Sequence, residues 1–115
     1  MAKTSVATFK VTVSDTVSGI STTDQPPDIT NTAAPSGGRA PIALTASPNT
    51  ITPPTGAIGV MLVPPATSTN VKTLKGVSGD TGILWRPDKP ILFYFSSATF
   101  VILSAGTETI DAFWL

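Results

Sequence analysis

The sequence predicts an all-β protein, built as a small antiparallel β-sandwich or a jelly-roll-like barrel. The 115 residues include 11 prolines and 9 glycines, which disfavour long helices because proline lacks a backbone donor and glycine loses backbone entropy. Threonine is the commonest residue, and β-branched side chains suit a pleated surface. Short apolar segments separated by Pro/Gly turns, spaced by about 8 to 12 residues, are typical of sandwiches and barrels. The length predicts a single domain over residues 1–115.

The first predicted element is a half-buried strand over residues 7–13. Polar and apolar residues alternate there with a period of two. The apolar positions are Ala7, Phe9, Val11 and Val13. Residues 14–15 predict a turn, and residues 17–20 predict a short edge strand.

Residues 21–41 predict a long loop or an extended arm rich in Pro, Gly and Thr. The stretches 21–27 and 34–39 contain few side chains that could anchor a core. Connections longer than about 12 to 15 residues in compact domains are usually functional or disordered. We interpret this one as a functional arm. A loop lying on the domain's own surface is the alternative.

The remainder of the chain contains most of the predicted strands. They are residues 42–44, 59–63, 71–74, 83–85, 91–95, 99–103 and 109–115. Turns are predicted between them, at 47–49, 53–56, 76–82 and 86–90. Several strands are apolar at nearly every position, which indicates cover on both faces. In so small a sandwich, the second cover is expected to come from a neighbouring molecule.

The weak charge of the chain disfavours several classes of partner. Only 12% of residues are charged, with seven basic and seven acidic side chains, against about 25% in ordinary soluble domains. Such a surface has no field to attract a phosphate backbone, so no nucleic-acid partner is expected. The longest apolar runs, 58–63 and 91–95, are far shorter than the roughly 20 residues of a membrane helix. We therefore expect no membrane partner, and the alternating start predicts no signal peptide.

No catalytic, cofactor-binding or metal-binding residues are predicted, and we expect no enzyme. The chain contains no cysteine and no histidine, the usual strong nucleophile and general base. Most aspartates stand beside Pro, Gly, Ser or Thr, where Asp commonly caps turns. A facing pair of carboxylates, as in a glycosidase, stays open. Asp24 and Asp28 lack the dense pattern of a calcium loop. Residues 36–39 lack the ending of a phosphate-binding loop, which indicates a flexible link.

Four residues are the candidates for contacts with a protein partner. Trp, Tyr and Arg contribute a disproportionate share of the binding energy at interfaces. The candidates are Trp85, Arg86, Tyr94 and Trp114. Aromatic platforms also bind sugars, so a carbohydrate-binding module is the alternative.

The last third of the chain has a distinctive succession of turns and strands. Residues 76–83 read GVSGDTGI, and a Pro-bounded turn and an apolar strand follow. Residues 98–103 read ATFVIL and lead through Gly106-Thr107 into a closing strand. This segment, 75–115, resembles small structural proteins of tailed bacteriophages, most of all capsid decoration (cement) proteins.

The resemblance implies a non-enzymatic virion protein, made in the host cytoplasm, that sits on the outer surface of a phage capsid. Proteins of this kind are short, cysteine-poor and often trimeric β-sandwiches that bridge neighbouring capsid subunits. The implied partners are the major capsid protein and further copies of the chain, with a homotrimer favoured. The alternatives are a carbohydrate- or receptor-binding module of a phage tail or fibre, and a head-completion or tail-tube protein.

Overall fold

The computed structural model describes residues 3–35 and 39–115. Within these ranges the chain forms twelve β-strands and no helix, so the described residues contain no helix that could span a membrane. All strand pairs are antiparallel. The sheets comprise two of four strands and two of two strands. The predicted all-β class is confirmed.

The first four strands form one long hairpin in two tiers, here called the arm (residues 3–34). These strands are β1 (Lys3–Ala7), β2 (Val11–Ser14), β3 (Ser21–Asp24) and β4 (Ile29–Ala34). The inner tier pairs β1 with β4, and the outer tier pairs β2 with β3. We call the outer tier and its turn, residues 11–24, the distal hairpin.

Residues 21–41 were expected to form a long loop or an extended arm, and the loop alternative is wrong because most of that segment is β-structure. Its first part returns along β2 and β1 as β3 and β4. Pro26-Pro27 lies between these strands, where the missing backbone donors interrupt the ladder. Threonine-rich strands of this kind pair well without carrying core side chains, so the segment resembled a loop in composition. Residues 36–38 of the expected flexible link lie outside the described residues.

The short edge strand expected at residues 17–20 is also wrong, because this segment is the turn of the distal hairpin. The Asp15 carboxylate accepts hydrogen bonds from the backbone N–H groups of Val17 (2.8 Å) and Ser18 (3.3 Å). Gly19 adopts a φ of 75°, a conformation that favours glycine. Local Asp and Gly chemistry therefore determines where the hairpin reverses.

Eight further strands form a two-layered sandwich. They are β5 (Arg39–Leu44), β6 (Pro48–Ile51), β7 (Gly59–Val63), β8 (Lys72–Lys75), β9 (Ile83–Trp85), β10 (Ile91–Tyr94), β11 (Phe100–Ser104) and β12 (Glu108–Trp114). The strand β6 lies where a turn was expected. Its proline is the first residue of an edge strand, a position where the missing donor is tolerated.

The sandwich has the topology of a jelly roll. One sheet has the order β10-β7-β12-β5, and the other has the order β6-β11-β8-β9. The chain crosses between the sheets at every connection except the one from β8 to β9. Eight antiparallel strands divided in this way form a jelly roll, one of the two architectures that the sequence predicts.

The core lies between the two sheets and follows the period-two alternation of the strands. In β12, for example, Ile110 and Ala112 point inward, while Asp111 and Phe113 lie on the outer face. The buried core cluster consists of Leu44, Ile51, Val60, Leu62, Trp85, Phe100, Ile102, Ile110 and Ala112. Burying each large aliphatic side chain contributes about 1.5–3 kcal/mol.

The inner tier of the arm covers part of the outer face of the β10-β7-β12-β5 sheet. Ala7 faces Met61 and Leu92 across a narrow cleft, and the rings of Phe9 and Tyr94 are 6.3 Å apart. The arm of the same chain therefore covers part of the outer face of these apolar strands. The sequence had suggested that a neighbouring molecule would cover this face.

Candidate functional site

Trp85 does not form the exposed aromatic platform that the sequence suggested. It is 5% exposed and belongs to the core cluster. Its indole N–H donates a hydrogen bond of 2.6 Å to the Lys89 carbonyl oxygen. Because Trp85 pairs with the inward-facing Lys72 in the β8–β9 ladder, the strand alternation directs its ring inward. Neither a sugar nor a protein partner can stack on a ring in this position.

The other three candidates lie in separate environments. Arg86 is exposed immediately after β9. Trp114 is half-buried and packs edge-on against Phe95, with ring centroids 6.3 Å apart. Tyr94 lies on the opposite, outer face of its sheet, where its ring covers Gly59 so closely that a Cβ there would meet it at 2.7 Å. The four candidates therefore do not form one continuous surface.

The Tyr94 hydroxyl is buried and has no hydrogen-bond partner among the described residues. Burial raises the pKa of this hydroxyl above its ordinary value. An unpaired buried hydroxyl is an energetic cost of about 1–3 kcal/mol.

Lys72 and Glu108 form a buried ion pair that joins the two sheets of the sandwich. Lys72 is fully buried, and its Nζ lies 2.6 Å from Glu108 Oε2. The ammonium also donates to Ser68 Oγ (3.2 Å) and to the carbonyl oxygens of Asn70 (3.0 Å) and Pro87 (3.1 Å). Its Nζ lies 5.4 Å from the centre of the Trp85 ring.

The electrostatics of this pair keep Glu108 ionised. Burial raises the pKa of the Glu108 carboxyl, but hydrogen bonds from Lys72, Ser68 and Asn70 outweigh burial, so the pKa lies below its ordinary value. The ammonium is surrounded by acceptors on every side. We interpret the pair as a structural connection between the two sheets, since its groups are occupied by one another.

The sequence analysis did not single out this pair, although one signal was present. Lys72 stands two residues before Leu74 in a strand, so both occupy the same face. A lysine on the core-facing side of a strand indicates a buried partner. Only the fold identifies that partner, because Glu108 lies 36 residues further along the chain.

Two patches of exposed apolar side chains lie on different parts of the chain. The first is the distal hairpin, with Val11, Val13, Val17 and Ile20. The second surrounds the edge strand β9, with Val77, Ile83 and Leu84. Contiguous exposed apolar surface commonly marks protein-interaction sites.

Among the described residues, no group of three or more acidic side chains is placed to hold a metal ion. Comparison of the chain with protein-family models, with curated proteins and with solved structures found no match. The surfaces of the molecule itself therefore carry the information about its function.

Proposed function

We propose that the chain is a non-enzymatic structural protein that binds the outer surface of a phage capsid and stabilises it by bridging capsid subunits. The observation that carries the proposal is the presence of two separate groups of exposed apolar side chains on one small chain. A protein that bridges subunits has to contact at least two neighbours, and linked weak contacts reinforce one another through effective concentration.

The distal hairpin is the stronger of the two patches. Every residue from Val11 to Asp24 is exposed, so this tier contributes nothing to the core. An isolated two-stranded hairpin is marginally stable in water. Contact with another protein would stabilise this hairpin.

The burial of Trp85 supports a capsid role over a sugar-binding role. Eight-stranded jelly rolls occur in viral capsid domains and in lectins, and this fold-level analogy does not choose between them. The sugar-binding alternative depended on Trp85 and Tyr94 as exposed platforms, but the Trp85 ring is buried and Tyr94 is half-buried. Surfaces suited to protein contacts remain.

Binding to preformed capsid shells tests the proposal. Shells of the major capsid protein from the same genome, assembled without this chain, are sedimented with increasing amounts of the purified protein. We expect saturable co-sedimentation at a fixed ratio to capsid subunits, and a higher temperature of shell disassembly. Absence of binding at micromolar concentration would contradict the proposal.

A matched pair of variants locates the contact. Val17 is almost fully exposed at the tip of the distal hairpin, next to the polar residue Thr16. Val17→Glu should weaken shell binding by roughly tenfold or more, since it places a charge in a desolvated contact. Thr16→Glu adds the same charge at a polar position and should have a smaller effect.

A further inference from the structure

An open groove lies between the edge strands β9 and β10 on one side of the sandwich. Its volume is about 550 Å³, and its apolar lining comprises Leu74, Ile83, Phe93, Phe95 and Phe100. Ile83 points toward the groove, as its pairing with Leu74 requires, yet it is 69% exposed. The strand β9 has only three residues, so it leaves part of the aromatic floor uncovered.

The groove suits an extended strand with alternating apolar side chains. The strand β9 is the last strand of its sheet, with no partner on its outer edge among the described residues. Such an edge presents backbone donors and acceptors that can pair with another strand. In this mode of recognition the main chain supplies hydrogen bonds, and alternate side chains enter pockets.

The distal hairpin has the required pattern. Val11 and Val13 lie on one face of β2 and are 63% and 65% exposed. The opposite face carries hydroxyl pairs, with Thr12 Oγ1 3.0 Å from Thr23 Oγ1 and Ser14 Oγ 2.9 Å from Ser21 Oγ. Val11 and Val13 pair with Asp24 and Thr22, which lie on the same face, so this face is uncovered and is apolar along β2 only.

The charges of the two surfaces are complementary. The distal hairpin contains two acidic side chains, Asp15 and Asp24, and no basic one. Around the groove and the end of β9 stand the basic side chains Lys75, Arg86 and Lys89, opposed by Asp80 and Asp88. Opposite charges on the hairpin and on the edge of β9 would orient the two surfaces toward each other and raise the association rate.

We propose that the distal hairpin of one copy lies along the free edge of β9 in a second copy, with Val11 and Val13 seated in the aromatic groove. Val11 and Val13 therefore contact another copy of the chain, and Val17 at the tip of the hairpin remains for the contact with a shell. The contact joins two different surfaces, so successive copies close into a ring or continue as a chain. The inference deepens the proposed function in one respect, because the resulting ring is the unit that would decorate the capsid.

Complementation between two variants tests this contact in the full-length chain. Val11→Glu with Val13→Glu blocks the hairpin, and Ile83→Glu blocks the groove. All three positions are largely exposed within one copy, so neither variant should unfold. Each variant alone should self-associate roughly ten- to hundredfold more weakly than the original chain, as expected for the loss of an apolar anchor.

An equimolar mixture of the two variants should form a one-to-one dimer, because one intact hairpin and one intact groove remain. Light scattering after size-exclusion chromatography measures the masses. Val71→Glu is the matched control, since Val71 is an exposed apolar residue outside the groove and outside both patches, and it should associate like the original chain. A monomeric mixture, or unchanged association of either blocked variant, would overturn the proposal.

The absence of cysteine from the sequence permits a covalent test. Val13→Cys combined with Ile83→Cys should form intermolecular disulfides under mild oxidation, whereas Val13→Cys combined with Val71→Cys, outside the groove, should form few. A disulfide formed only within one chain would show that the arm occupies its own groove, and would overturn the proposal.

The shell-binding assay separates this inference from the proposed function. A chain that binds shells as a monomer contradicts the arm–groove contact and leaves the proposed function standing. A chain that forms the complementing dimer and ignores shells supports the contact and contradicts the proposed function.

Discussion

Replacing Glu108 with glutamine should destabilise the sandwich severely, although it changes little of the side chain's shape. The substitution removes the negative charge 2.6 Å from Lys72 Nζ. Lys72 is fully buried, so its charge would then be opposed only by neutral oxygens. An uncompensated buried charge is among the most costly defects that a single substitution can produce.

The expected loss is about 3–5 kcal/mol, the range for removing one partner of a buried ion pair. This is a large fraction of the roughly 5–15 kcal/mol that stabilises a typical domain. At about 4 °C per kcal/mol for a domain of this size, Tm should fall by about 12–20 °C. Calorimetry and urea unfolding of Glu108→Gln measure both quantities.

The exposed pair of Arg39 and Asp111 provides the control. Its N–O distance is 3.1 Å, and both side chains are substantially exposed. Asp111→Asn should therefore cost less than about 1 kcal/mol. Lys72→Met combined with Glu108→Leu should recover part of the loss caused by Glu108→Gln, since apolar replacement of both partners removes the unpaired charge. If Glu108→Gln were no more harmful than Asp111→Asn, the reasoning from burial would be refuted.

Three further predictions concern acid stability, a buried hydroxyl and the seating of the arm. Because the folded-state pKa of Glu108 lies below its ordinary value of 4.5, its contribution to stability is present above that value and is lost as pH falls through the folded pKa. Urea unfolding from pH 6 to about pH 2 should show this loss, and Glu108→Gln should reduce the pH dependence. Tyr94→Phe should raise the free energy of unfolding by about 1 kcal/mol, because it removes a hydroxyl that is buried without a partner among the described residues; a loss of stability would contradict this. Gly56→Ala should release the arm from the sandwich. Gly56 has a φ of 91°, and a Cβ there would meet the Ala33 carbonyl oxygen at 2.3 Å. The substitution should also disturb the hydrogen bond that the Gly56 carbonyl accepts from Asn31. Hydrogen exchange should then rise over residues 3–34 and stay unchanged in the sandwich core.

The fold class and most strands of the sandwich were predictable from the sequence. Residues 83–85, 91–95 and 99–103 were each expected to be strands, and an observed strand lies at each position within one residue. Strand preference depends on nearest-neighbour features, namely β-branched and aromatic side chains bounded by Pro and Gly. These features are fully present in the local sequence.

The same local features led to wrong expectations for residues 21–34 and for the exposure of Trp85. Residues 21–34 have the composition of a loop, and their pairing with the first two strands depends on where the chain reverses at Asp15. The inward direction of Trp85 follows from its register against Lys72. A shift of one residue in the pairing of β9 with β8 would have exposed the ring. Because β9 has only three residues, its sequence alternates too briefly to show which side chains face inward.

The sequence by itself determined that this chain forms short antiparallel strands and carries little charge, because propensity and composition are local or additive properties. The tertiary structure alone decided that Lys72 meets Glu108 and that β12 pairs with both β5 and β7. It also decided that the arm covers one sheet while its outer half stays uncovered. These outcomes depend on contacts between residues far apart in the chain, and they are selected by the joint burial of all the strands.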